Sequence, residues 1–216
     1  MRIDIYSDTV CPWCYLGKRR FELAMAARPQ YEPRVTWRPF ELNPDLPAEG
    51  ADRAAYLAAK IGSPERVAQG HEELERQGEA SGIEFRFDLI ERVPNTRRSH
   101  LLMAHAARCG RQNVVMDRVM RAYFEEGCDI GDIEVLVRLG VEAGLAEHES
   151  RSALILRAGQ DGVIAAERHA TVLGITGVPT FIFDGQYTIS GAHDVGTFAR
   201  VLDQAADLAA AREVAS

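Results

Sequence analysis

Cys11 and Cys14 stand three positions apart in the stretch DTVCPWCYLG, Asp8 to Gly17, with Pro12 and Trp13 between them. Two thiols at this spacing can clamp a metal, form a permanent bridge or pass electrons as a dithiol. Pro12 suits the first turn of a helix, where its missing N–H is not needed. Cys11 then sits at the helix start and Cys14 one turn inside. At about 1.5 Å of rise per residue, positions i and i+3 share a face. Their Cα atoms fall within the ~4.4–6.8 Å that a disulfide requires. At the helix start the Cys11 sulfur can accept hydrogen bonds from free N–H groups and meets the positive end of the helix dipole, both of which favour thiolate. Cys14 is expected to be the buried, resolving thiol.

The alternatives fit the chain less well. A zinc site needs further ligands, yet Cys109 and Cys128 form no second Cys-x-x-Cys and the histidines no H-E-x-x-H pattern. No metal is therefore expected. A Pro-Trp pair at a helix start is more than two space-filling thiols call for. A permanent bridge depends on compartment. The N-terminus MRIDIYSDTV alternates like a strand and lacks the apolar region of a signal peptide. A cytoplasmic setting is thus expected, where thiols are mostly kept reduced. The dithiol reading remains.

Composition narrows the partners. The 216 residues carry a formal net charge of −7, which argues against a general nucleic-acid or membrane-surface binder. No apolar run approaches the roughly 18 residues of a spanning helix. Thiol or disulfide substrates are the expected partners, and the sequence assigns no oligomeric state.

The elements that must position the dithiol follow from periodicity. RIDIYS reads as a strand with Ile3 and Ile5 on one face, and RVTWRPFEL as a second strand whose Pro39 suits an edge or an irregular end. With the helix between them they form β-α-β, hence a parallel pair. Residues 44–158 read as successive helices, with Ser63 and Asp132 as caps. One of these helices is expected to carry Leu101, Leu102, His105 and Cys109 on a single face. A further helix, GVIAAERHATVLG, leads to GVPTFIFDGQYTISG, a β-hairpin turning at Asp184-Gly185. A final helix closes the chain. The layout is β-α-β, an all-helical segment, then α-β-β-α, with parts at 1–43, 44–158 and 159–216.

Val178 and Pro179 open the hairpin. A proline just before a β run fits a cis Val178–Pro179 bond in a tight turn. Val178 would then offer its N–H and C=O to an extended thiol substrate lying against Cys11. Pro12 and Trp13 complete the expected substrate contacts. Tyr15, Phe40, Asn43, His100 and His193 are weighed as further side chains near the cleft, with His105 as a satisfied core residue. Cys109 and Cys128 are read as unpaired thiols.

The stretches SDTVCPWCYLGKRRFE, WRPFELNP, PNTRRSH, YFEEGCDIGDIEVLVRLGVEAGL and VLGITGVPTFIFDGQYTISGA resemble the FrnE-type subgroup of DsbA-like thioredoxin-fold oxidoreductases. The resemblance covers most of the chain. It implies an α/β class, a thioredoxin fold interrupted by a helical insertion domain, and thiol–disulfide exchange with Cys11 attacking and Cys14 resolving. It implies no tightly bound cofactor. The same architecture is similar to glutathione-dependent 2-hydroxychromene-2-carboxylate isomerases and kappa-class glutathione transferases. Those typically carry serine at the nucleophile position, whereas this chain has both thiols. Its PNT, Pro94 to Thr96, resembles their ligand-holding segment, so glutathione stays open as a co-substrate. The chain departs from the pattern at Ile5, where several relatives carry a buried proton acceptor, and the group that takes the proton of Cys14 stays open.

Overall fold

A computed structural model describes residues 1–215. The first strand, β1 (Arg2–Ser7), is buried at every position after Arg2. It places Ile3, Ile5 and Ser7 on one face and Asp4 and Tyr6 on the other. Helix α1 (Pro12–Ala26) crosses over to β2 (Arg34–Pro39), which pairs parallel to β1 with Ile5 opposite Trp37. Near the other end of the chain, β5 (Thr180–Phe183) and β6 (Tyr187–Ser190) form the hairpin. Its turn puts Asp184 and Gly185 at φ +48° and +71°, the left-handed geometry that Asp-Gly tolerates. The sheet order is β2-β1-β5-β6, with β5 antiparallel to β1 and Ile5 opposite Phe181. Pro39 lies at the end of an edge strand, where its missing N–H breaks no ladder.

Both faces of the sheet are covered, which is why β1 and β5 are buried nearly throughout. Phe21 of α1 and Phe198 of α9 (Val195–Ala215) meet Phe181, with ring centroids 5.6 and 4.7 Å away. On the opposite face Tyr6 and Ile182 pack with Ala170 of α8 (Gln160–Val172). The remaining helices are α2 (Arg53–Ile61), α3 (Pro64–Glu79), α4 (Arg97–Arg108), α5 (Gln112–Phe124), α6 (Ile133–Glu142) and α7 (Glu147–Ile155). One apolar cluster runs from Ile3 and Ile5 into Leu102, Met116 and Leu136 of these helices. Among the described residues, no helix is long and apolar enough to cross a membrane.

Three local expectations change, and one helix inside the helical segment goes without a sequence signal of its own. The segment read as purely helical contains a ribbon of β3 (Ala51–Asp52) and β4 (Arg92–Val93), too short for a period-2 pattern to show. Helix α7 has few buried positions, Ser150, Ala153 and Leu154, so no apolar stripe announces it. Ser63 stands before α3, but its hydroxyl turns to the Glu65 carboxylate and makes no capping bond. Asp132 does cap α6, accepting from the Val135 N–H at 2.9 Å. Helix α4 ends at Arg108, so Cys109 leaves the buried face it was expected to share and is exposed.

A buried cation joins α1 to α5. Lys18 is only 1% exposed and donates to Glu22 at 2.7 Å and Asp117 at 2.6 Å. The acids reach solvent, whereas the ammonium does not. The asymmetry sets the expected energetics, because an uncompensated buried charge is the costly species. Glu22→Gln with Asp117→Asn should destabilise the fold by about 3–5 kcal/mol, while Lys18→Met should stay within about 1 kcal/mol of the parent. Urea unfolding midpoints check the order; Lys18→Met as the costlier change would show that the acids, not the ammonium, carry the penalty.

Candidate active site

Cys11 is the N-cap of α1, with extended backbone (φ −90°, ψ 113°), and Pro12 follows at the first helical position. Its N–H donates to the Asp8 carbonyl, and its own carbonyl accepts from the N–H groups of Cys14 and Tyr15 at 3.0 and 3.2 Å. Here the structure corrects an expectation. The Cys11 sulfur caps none of the first-turn N–H groups. The thiol instead turns toward the hairpin and donates to the Val178 carbonyl at 3.8 Å. The Val178–Pro179 peptide is cis. Gly17 lets α1 approach this loop, since a Cβ there would stand 3.0 Å from Pro179 Cγ.

Cys14 is fully buried, and Cys11 shows only 4% of its surface. Both thiols are free. Burial pushes the Cys14 thiol well above its ordinary pKa, and the neighbouring Cys11 adds to this. The Ser7 hydroxyl, buried with no hydrogen-bond partner among the described residues, and the Asp8 main chain pull the other way. Pro12 is half-buried and Trp13 is 41% exposed, so the indole stands at the rim.

Beneath the dithiol lies a polar cluster that joins three of the stretches quoted above. Asp8, from the loop before Cys11, is fully buried. Its Oδ2 accepts from the Leu42 N–H at 2.7 Å, and its Oδ1 faces His100 Nε2 at 3.5 Å. Neither of those facing atoms has another hydrogen-bond partner among the described residues. Thr9 and Ser99 share a buried hydroxyl bond of 2.7 Å. Beside them Arg97 binds Glu41 and lies 3.6 Å from Glu167. Burial, followed by the Glu41 charge, raises the Glu167 carboxyl. His100 is thus a core residue rather than a rim residue. The sequence reading passed over Asp8 as a partner; its only signal was an acidic residue three positions before the first cysteine, a count that does not reveal His100.

A cavity of about 380 Å³ opens against Cys11, Pro12 and Trp13. Asn43 lines it and accepts from the Tyr56 hydroxyl at 2.7 Å and from Lys60 Nζ at 3.1 Å. The other weighed residues lie elsewhere. Tyr15 packs beneath the helical segment, stacked on Phe124 with its hydroxyl donating to Glu125 at 2.6 Å. Burial and the Glu125 charge hold its proton on. Phe40 packs toward Tyr6 and Ile182. His193 is exposed, with Nε2 3.0 Å from the Ser190 carbonyl. His105 is buried beside Arg108. Cys109 meets His105, and Cys128 meets Glu126 and Arg138, so the two outlying thiols have separate surroundings.

Known proteins place this arrangement. The model of the DSBA-like thioredoxin domain matches residues 2–203. The protein YwbO of Bacillus subtilis (strain 168) is 32% identical over 203 residues, covering 94% of this chain and 96% of that one. The crystal structure of a probable DsbA oxidoreductase, SCO1869 of Streptomyces coelicolor, superposes with a TM-score of 0.88 at 39% identity, over 95% of this chain and 89% of the other. The cytosolic disulfide reductase DsbM of Pseudomonas aeruginosa, also solved with GSH, shares the fold at 20% identity and a TM-score of 0.68, over 99% and 100% of the two chains. With a family model spanning nearly the whole chain, the protein belongs to the DSBA-like thioredoxin domain family.

Proposed function

We propose that the protein is a thiol–disulfide oxidoreductase that works through Cys11 and Cys14. The observation that carries this reading is the asymmetry of the pair: Cys11 faces the Val178 carbonyl at the mouth of a cavity, and Cys14 is sealed one turn behind it. The Cys11 thiolate attacks one sulfur of a substrate disulfide, forming a mixed disulfide and releasing the other half as thiolate, which takes up a proton. Cys14 then gives up its proton and attacks the Cys11 sulfur. The Cys11–Cys14 disulfide forms, and the second substrate half leaves as thiolate. Two electrons pass from the dithiol to the substrate, and the reverse sequence oxidises a substrate dithiol. The pair's potential relative to its compartment sets the direction, about 30 mV corresponding to ~1.4 kcal/mol.

In this reading Val178 and Pro179 hold the substrate's extended backbone or thiol group, while Pro12 and Trp13 border the approach. Asp8, anchored by the Leu42 N–H and by His100, keeps its main-chain N–H aimed at Cys14. That N–H and the Ser7 hydroxyl favour the thiolate that the resolving step needs.

The cavity supports a second reading, in which Cys11 holds the glutathione thiol for an isomerisation or transfer. It contains room for a small ligand, and loss of Cys14 would be tolerated there.

A glutathione redox titration followed by Trp13 fluorescence should show a reversible two-electron transition. Cys11→Ser should abolish dithiol activity, and Cys14→Ser should remove the transition and trap mixed disulfides. Saturable glutathione binding without any transition would move the assignment to the second reading.

Resolution should speed up with rising pH until the Cys14 proton is lost. Because Ser7 lowers the Cys14 pKa, Ser7→Ala should shift that profile to higher pH. A hydrogen bond to a charged sulfur is worth about 1.5 kcal/mol, or roughly tenfold in rate. Single-turnover decay of the mixed disulfide at neutral pH measures this; an unchanged profile would remove Ser7 from the resolving step.

A further inference from the structure

The wall of the cavity opposite Cys11 comes from α2 and α3, and its charge is one-sided. Arg53, Lys60 and Arg66 line it together with His71, and no aspartate or glutamate does. This is unusual in a chain of net charge −7, whose other arginines are commonly matched: Arg28 to Asp203, Arg86 to Asp88, Arg118 to Glu126.

Arg53 is the telling case. It is half-buried, and among the described residues no carboxylate lies within 4.0 Å of it. Its guanidinium donates to the Phe87 carbonyl at 3.1 Å, stands 3.2 Å from His71 Nε2 and covers the Phe87 ring at 5.3 Å from the centroid. None of these partners carries a negative charge. Burial holds the Arg53 pKa below its ordinary value, and burial and Arg53 together do the same to His71. The imidazole therefore serves as a neutral acceptor. Lys60 is likewise satisfied by neutral oxygens, Asn43 Oδ1 and the Tyr56 hydroxyl. A desolvated cation without a counter-ion is costly, so the site is arranged for a negative charge that comes from outside. Most of the rest of the lining, including Leu57, Val67, Leu74 and Phe124, is apolar, with Asn43 and the Tyr56 and Tyr123 hydroxyls as its polar groups.

We propose that this cavity binds a carboxylate of the disulfide substrate, with Arg53 as the group that reads it. The substrate class is then a disulfide carrying an anionic group beside an apolar body. The inference rests on the dithiol reading, because the cavity counts as a substrate site only through Cys11 at its edge. Arg53 can offer a planar pair of N–H donors to a carboxylate, and Lys60 and Arg66 add to the attraction. The carboxylate belongs either to a low-molecular-weight disulfide or to an acidic side chain near a protein disulfide.

The test uses the reduced full-length protein and two small aromatic disulfides. Dithiobis(nitrobenzoate) carries a carboxylate on each ring, and dithiodipyridine carries none. The Cys11 phase is identified by its loss in Cys11→Ser, which separates it from reaction at Cys109 and Cys128. The readout is the ratio of the two rate constants, anionic over uncharged. Arg53→Gln should lower that ratio at least tenfold, with partial recovery in Arg53→Lys, and Arg66→Gln should lower it a few-fold. Arg66 is exposed, so that variant stays informative should Arg53→Gln fold poorly. A ratio unchanged in both glutamine variants overturns the inference and leaves the dithiol reading standing. A wild-type Cys11 inert to both reagents overturns the dithiol reading and this one with it. A peptide disulfide flanked by aspartates, compared with its asparagine counterpart, separates the sources. Dependence of the peptide on Arg53 identifies an acidic protein segment; dependence of the small reagent alone identifies a low-molecular-weight substrate.

Discussion

The pairing of β1 with β5 is the constraint on which the site depends. Ile5 lies opposite Phe181 and Tyr6 opposite Thr180, so residues far apart in sequence become neighbours at one end of the sheet. The loop that follows β1 delivers Cys11, and the loop that precedes β5 delivers Val178. Antiparallel pairing makes those two loops emerge at the same end, and the thiol meets the carbonyl at 3.8 Å. The apolar faces of both strands enforce the register, because a one-residue slip would turn Ile3, Ile5, Phe181 and Phe183 away from Phe21 and Phe198. The chemistry at the sheet end thus inherits its precision from packing in the middle of the sheet.

Helix α1 converts that geometry into two unlike thiols. Its N-cap, Cys11, sits between cavity and hairpin, and Cys14 one turn on points into the core. The same helix then faces Gly17 toward Pro179 and buries Lys18 against α5. One helix therefore positions Cys11, meets the loop that faces it and carries the link to the helical segment.

Charge is distributed with the same economy. Lys18 is buried with two acids, Arg97 with Glu41 and Glu167, and Asp8 with His100. Each such group faces a polar partner within the chain, as burial demands. Arg53 departs from this at the cavity edge. Partnered charges lie in the frame around the dithiol, and Arg53, with no carboxylate beside it among the described residues, lines the cavity next to Cys11.

Much of the frame was legible in the sequence because it is local. Alternation marked β1 and β2, Pro12 marked the start of α1, Asp184-Gly185 marked the hairpin, and Asp132 marked the cap of α6. The Cys-Pro-Trp-Cys spacing alone placed both sulfurs on one face of a helix, and Val178–Pro179 stood out as a proline before a buried strand. What required the tertiary structure is what depends on partners distant along the chain. The direction of the Cys11 sulfur was decided by the hairpin opposite, where the Val178 carbonyl accepts from the thiol. The Asp8–His100 contact joins a loop to a helix about ninety residues later, and no periodicity connects them. The cationic wall exists because α2 and α3 pack over the site, turning unremarkable surface arginines and a lysine into the lining of a cavity. Local spacing determines which groups can react; only packing decides what each of them faces, because burial and charge pairing are set by neighbours in space.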